Sequence, residues 1–173
     1  MFEAAKYSVV ETLRNGRRVE IRALLPEDRD DLITAVHAMS AQSRYRRFFT
    51  VRREFGEQET ASFVNVDFIN HVALVAVLEE NGEFAIVGGG RYVVVKPGLA
   101  EVAFAIVDQY QGQGIGTALM RHLGAIARAA DLRELIAEVL PENIAMVKVF
   151  QSSGFPMSTE YHFGVVHITL RLW

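Results

Sequence analysis

The 173 residues predict an α/β or α+β protein, a sheet with helices on both faces. Three observations point there. Strand-like runs come in hairpin-linked groups, at residues 7–13 with 19–25 and again from 71 to 107. Helical periodicity fills the stretches between and after them. At the centre stands one unit of strand, glycine loop and helix: an apolar run at 102–107, then Gln111-Gly112-Gln113-Gly114-Ile115-Gly116-Thr117, then a helical run from about 115 to 130.

Each element has a local cause. Asn15-Gly16 joins the first two strands as a hairpin turn, since both residues tolerate positive φ. Pro26-Glu27-Asp28 reads as a helix start, with Leu32, Ile33, Val36 and Met39 on its apolar face. A second helix is expected over 57–64, with Ala61 and Val64 inward. Residues 71–78 are almost continuously apolar, so this strand is buried on both sides. Glu80-Asn81-Gly82-Glu83 turns the chain into a strand over 84–95. Gly88-Gly89-Gly90 interrupts that strand, the mark of a bulge or a close neighbour. Lys96-Pro97-Gly98 turns again into the run 100–107. In the central helix Ile115, Leu119, Leu123, Ile126 and Ala130 recur at helical spacing. A short strand over 135–140 stops at Pro141, a helix covers 143–152, and Gly154-Phe155-Pro156 ends it. The last stretch alternates as a hairpin about Gly164.

Composition narrows the class. Half the residues are apolar and 23% are charged, so the chain folds, and its length favours one domain over 1–173 with an N-terminal hairpin at about 7–25. A net charge of −3 speaks against nucleic acid as partner. No apolar run is long enough to span a membrane, and the first residues do not read as a signal peptide. The lack of cysteine excludes disulfides and thiolate chemistry and fits a cytoplasmic protein. His37, His71, His122, His162 and His167 share no two-ligand spacing on one helix, so no metal site is expected.

The glycine loop reads by its residues alone as a phosphate cradle, the other reading being a plain tight turn. Glycines let the backbone approach a ligand closely, and the following helix start offers unpaired N–H groups and the positive dipole end. The loop lacks the Gly-Lys-Ser/Thr ending of a P-loop, and its glycine spacing is not that of the dinucleotide fingerprint. It does fit Gln/Arg-x-x-Gly-x-Gly/Ala, and so resembles the acetyl-CoA pyrophosphate loop of the GNAT superfamily of N-acetyltransferases. Downstream, Asn143, Phe150 and Gly154-Phe155 resemble a second GNAT segment, where an asparagine opens a helix and contacts the pantetheine arm. Asparagine is also a good helix cap, and the two roles are compatible. The resemblance covers most of the chain from Val19 onward. It implies a mixed, mostly antiparallel central sheet with helices on both faces.

For the site, the resemblance implies that Gln111, Gly112, Gln113, Gly114, Ile115, Gly116 and Thr117 bind acetyl-CoA as co-substrate. The backbone of Ile106 and Val107, with Asn143 and Phe150, would hold its acyl and pantetheine parts. Phe150 stands where the family usually has a tyrosine that protonates the leaving thiolate. Phenylalanine has no proton to give, so it is expected to form an apolar wall. Ala100-Glu101-Val102-Ala103-Phe104 resembles Ala-Glu-Ile-Val-Phe of the histone acetyltransferases in the superfamily, which makes Glu101 the candidate base. A carboxylate in a central strand is costly unless partnered or functional; the other reading is a strand-start glutamate that reaches solvent.

Ser43-Arg44-Tyr45-Arg46-Arg47-Phe48-Phe49 has three readings: a helix end with solvated arginines, an RNA-binding run, or an acceptor-side element. It is similar to a run in bacterial protein lysine acetyltransferases of the Pat type, as are Asn15-Gly16-Arg17-Arg18 and Leu25-Pro26-Glu27-Asp28. The resemblance therefore implies transfer of acetyl to a primary amine, a protein lysine in the Pat-type case. A small-molecule amine or N-terminal acetyltransferase is the alternative enzyme. An inactive acyl-CoA-binding module is the alternative of another class. Monomer and homodimer both stay open.

Overall fold

A computed structural model of the chain describes residues 3–48 and 57–173. Eight strands form one sheet: β1 Ser8–Thr12, β2 Arg18–Ala23, β3 His71–Glu80, β4 Glu83–Lys96, β5 Leu99–Ile106, β6 Glu134–Val139, β7 Met157–His162 and β8 Val165–Arg171. Their spatial order is β1-β2-β3-β4-β5-β6-β8-β7. All neighbours are antiparallel except β5 and β6. The hairpin turns fall where expected, at Gly16, Asn81-Gly82 and Gly164, each with positive φ.

Among the described residues there are five α-helices: α1 Arg29–Ala38, α2 Ala41–Phe48, α3 Glu57–Val64, α4 Ile115–Ala129 and α5 Ile144–Gln151. Pro26–Asp28 forms a 3-10 turn before α1. Its geometry follows from Asp28, whose carboxylate accepts the Leu25 N–H at 2.7 Å and two bonds from the Arg22 guanidinium at 2.7 and 2.9 Å. The core lies on both faces of β3, whose residues from Val72 to Leu78 are all buried. The inner side of α4 is buried through Ile115, Leu119, Leu123 and Ile126, whereas Ala130 falls outside the helix and is exposed. Ala61, expected inward on α3, is exposed; Val64 alone of the pair packs on the core. A polar α3 of eight residues needs only one seam of contact.

Gly88-Gly89-Gly90 proves to be both a bulge and a close approach. The β3–β4 register slips between Ala76 and Val77, opposite Gly88 and Ile86. A Cβ on Gly90 would lie 2.4 Å from the Phe104 ring, and one on Gly88 would lie 2.7 Å from Ile106 Cδ1. The glycines thus make room for side chains of β5. Phe104, seated over Gly90, stacks edge-on against Phe150 of α5, with ring centroids 5.9 Å apart. Gly90→Ala should therefore lower stability by about 1–3 kcal/mol through overpacking, read as a fall in Tm. An unchanged Tm would mean that the Phe104 ring moves freely.

Candidate active site

The site begins where β5 and β6 part. Their parallel ladder holds for three pairs only, Leu99↔Glu134, Ala100↔Leu135 and Glu101↔Ile136. Beyond Glu101 the two strands diverge, and β5 stays paired with β4 alone. Val107 donates its N–H to the Val87 carbonyl at 2.9 Å. Backbone groups alternate direction along a strand, so odd-numbered β5 residues bond to β4 while Val102, Phe104 and Ile106 turn theirs into the gap.

This corrects one expectation. Val107, named above as a backbone donor to the ligand, has its N–H bound to Val87 and its carbonyl bound by the Tyr110 N–H. Ile106 does face the gap, with its carbonyl already accepting from Gln111 Nε2 at 2.9 Å. The second free amide belongs to Phe104. Sequence reasoning missed it, although counting by twos back from Ile106 reaches it.

A cleft of about 390 Å³ runs from this gap to the start of α4. Phe104, Ile106, Gln111, Gly112, Gly114, Ile115, Gly116 and Thr117 line one part of it, and Asn143, Met146, Val149 and Phe150 another. Gly114 is the N-cap of α4 with φ 92°, and a Cβ there would meet only open space. The first bond of the helix runs from the Ala118 N–H to the Gly114 carbonyl. The N–H groups of Ile115, Gly116 and Thr117 therefore have no intrahelical partner and sit at the positive end of the dipole. Gln113 lies beside this cradle, its Oε1 accepting from Asn15 Nδ2 of the N-terminal hairpin turn at 3.1 Å. Asn143 caps α5, accepting the Met146 N–H through Oδ1 at 3.3 Å, which leaves its Nδ2 group to the cleft. Phe150 is buried and forms an apolar wall. Among the described residues, four cations line the cleft, Arg14, Arg46, Arg47 and Lys148, against one carboxylate, Glu138.

The cleft passes Met39, Arg47, Ala103 and Ala105 into a smaller chamber of about 60 Å³ on the other face of the sheet. Small residues form its floor, Gly89, Ala103 and Ala105, under apolar side chains of α1 and Phe63 of α3. Glu101 shares this face by the two-residue period of β5, and stands in the last row before the strands part. Its side chain is exposed, with the charge of Arg47 acting on it. The burial cost expected for a carboxylate in a central strand is thus not incurred.

The arginine run forms α2, and its arginines are not simply solvated. Arg44 is buried and donates to the Met39 carbonyl that ends α1. Arg46 and Arg47 are half-buried and line the cleft. Phe49, the last residue of that motif, lies outside the described residues. Burial depresses the pKa of Arg47, and Glu101 opposes the shift. Arg91, on β4 opposite Ala103, is brought down to about 10 by burial and by Arg47. Burial and Arg91 also lower His71, whose Nε2 lies 3.3 Å from Arg91 Nη1. His71 therefore accepts that bond as a neutral ring.

Asp108, which opens the 3-10 turn after β5, ties the two sides of the site together. Its carboxylate accepts the Ser40 N–H at 2.9 Å, the Ser40 hydroxyl at 2.7 Å and the Ser43 hydroxyl at 3.0 Å. Gln111 Nε2 donates to Ser43 Oγ at 3.2 Å. The start of α2 is thereby fastened to the glycine loop. Burial pushes the Asp108 carboxyl up, but the bonds from Ser40 and Ser43 outweigh it and hold it below the usual range. A depressed pKa stabilises the fold above the unfolded value, and that contribution fades as pH falls through the folded value. Asp108→Ala should cost about 0.5–1 kcal/mol near neutral pH after solvent screening. Denaturation of both proteins from pH 7 to 3 should show the gap constant down to about pH 5 and shrinking below about pH 4. A gap independent of pH would mean that charge plays no part in the tether.

Residues 34–155 match the model of the Acetyltransferase (GNAT) family. The chain is 34% identical over 147 residues to the acetyltransferase PA5475 of Pseudomonas aeruginosa, covering 84% of this chain and 79% of that protein. It is 32% identical over 146 residues to the acetyltransferase Pat of Mycolicibacterium smegmatis, covering 82% of this chain but only 42% of Pat. The GNAT domain of S. lividans PAT superposes with a TM-score of 0.85 at 31% identity, covering 95% of this chain and 96% of that one. A parted β5–β6 pair beside a glycine loop, a family match over most of the chain and these relatives agree: the chain belongs to the GNAT family of acetyltransferases and is an N-acetyltransferase enzyme.

Proposed function

We propose that the chain, as a single N-acetyltransferase domain, transfers acetyl from acetyl-CoA directly to a primary amine, with Glu101 as base. The single observation that carries this is the gap beside β5, with a phosphate cradle at one end and Glu101 at the other. The residues fit the donor. The unpaired N–H groups at the start of α4 suit a diphosphate, and the open space over Gly112 and Gly114 lets it approach. Bound acetyl-CoA would supply a thioester with a thiolate leaving group, whose free thiol has a pKa of about 8.5.

The remaining chemistry belongs to the chain. An alkylammonium with a pKa near 10.4 must lose a proton before it attacks, and the exposed Glu101 carboxylate takes that proton, directly or through water. The gap-facing Phe104 N–H is available to polarise a carbonyl. Phe150 and Phe104 exclude water on one side. Phe150 offers no proton, so the thiolate leaves without help from this position.

A protein lysine is the acceptor that the similarity to Pat supports, and the exposed position of Glu101 suits a side chain arriving from outside. The small apolar chamber with Arg91 and Arg47 favours a second reading, a small amine. A cytoplasmic setting fits the cysteine-free sequence.

Two variants test the proposal. Gly114→Val fills the cradle and strains a positive φ, so calorimetry should find CoA binding lost in a protein still folded by circular dichroism. Retained affinity would remove the cradle from the pyrophosphate. Glu101→Gln should keep acetyl-CoA affinity within about threefold, because backbone groups hold the donor. Its kcat at neutral pH should fall by roughly 10² or more. Part of that loss should return as pH rises toward the acceptor's own pKa. Full kcat at pH 7 would make Glu101 a plain strand residue. Tight acetyl-CoA binding with no turnover on any amine would favour an inactive acyl-CoA-binding module.

A further inference from the structure

Arg91 is a half-buried cation, and charges drawn away from water usually have a counter-charge. Its bonds are to neutral groups. Nη2 donates to the Phe63 carbonyl at 3.0 Å, and Nη1 to His71 Nε2 at 3.3 Å. A second guanidinium, Arg47, lines the same chamber. The nearest carboxylate by register is Glu101. Arg91 pairs with Ala103 and Glu101 with Val93, so the two are diagonal neighbours on one face of the sheet. Such neighbours are about 7–8 Å apart at Cα. The chamber floor of Gly89, Ala103 and Ala105 runs on from Arg91 on the side away from Glu101. Base and guanidinium thus stand side by side on one face, with the small apolar chamber opening beyond Arg91.

We infer that Arg91, with Arg47 beside it, receives a carboxylate carried by the acceptor a short distance from its amine. The guanidinium fork suits a carboxylate in two-bond geometry, and an enclosed apolar site strengthens the pairing. A chamber of about 60 Å³ holds a carboxylate and its nearest methylenes rather than a bulky group. The acceptor would be bound at two points, amine at Glu101 and carboxylate at Arg91. That chemistry is found in a free amino acid and also in a protein lysine next to an acidic residue. The inference rests on the acetyl-transfer reading for its amine end, but the carboxylate end can be tested separately.

The test compares acceptors in pairs with the whole chain and acetyl-CoA. One arm uses ω-amino acids of graded length against their carboxamides. The other uses lysine peptides with Glu or Gln beside the lysine. In at least one arm the carboxylate member should show kcat/KM about tenfold or more above its neutral twin. Arg91→Gln should bring that ratio to near one, and Arg91→Lys should restore part of it. A general loosening of α3 through the Phe63 contact would lower both members alike and leave the ratio unchanged. The arm that responds identifies the source of the carboxylate. No preference in either arm for the native protein, or a ratio unaltered by Arg91→Gln, overturns the inference. If Arg91→Gln does not fold, Arg91→Lys alone decides, by whether the ratio falls. If no amine is acetylated, the same pairs are titrated calorimetrically into the CoA-loaded protein. Tighter binding of the carboxylate members then upholds the subsite while the transfer reading fails, and equal binding overturns the subsite too.

Discussion

The parting of β5 from β6 is the constraint on which the rest depends. A parallel pair that ended with the strand would satisfy every backbone group and leave no site. Here the ladder stops after Glu101↔Ile136, and the amides of Phe104 and Ile106 face open space. Unpaired backbone groups in an interior are expensive, which is why such a gap suits a ligand that completes their hydrogen bonds. The parting also joins the two faces of the sheet, so the cleft on the α4–α5 side opens past Ala103 and Ala105 into the α1–α3 side.

Small residues and one carboxylate keep that opening in shape. Gly90 gives the Phe104 ring its seat, and Phe104 in turn holds Phe150 against the cleft. Asp108 ties Ser40 and Ser43 of the α2 start to the loop that begins at Gln111. The arginine-bearing helix and the glycine loop are therefore one mechanical unit. Displacing the loop at Gln111 would loosen both the Ile106 carbonyl and the hydroxyl of Ser43.

Charge is distributed against the average of the chain. The whole sequence carries −3, yet among the described residues the cleft gathers Arg14, Arg46, Arg47 and Lys148 around Glu138. A field of this kind attracts a polyanionic donor locally while the rest of the surface stays acidic. On the other face Arg47 and Arg91 line one chamber, with the His71 ring beside Arg91.

Much of this was legible in the order of residues. The hairpins at Asn15-Gly16 and Asn81-Gly82, the glycine loop, the amphipathic α4 and the cap at Asn143 are set by local rules, because turn conformation and helical periodicity act over a few residues. The glycine triplet announced a bulge or a close neighbour, and both exist. What sequence could not assign was direction and partnership. Whether Val107 or Phe104 turns its amide to the gap depends on which residue of β4 it meets, and the bond to Val87 decides it. Asp108 reads as a turn residue until α2 is packed beside it. Arg91 lies in an ordinary strand run, and Arg47 in a run that could have been solvated. Only strand pairing and helix packing set them in one chamber, because contacts between residues far apart in the chain are fixed by the tertiary fold and leave no local trace.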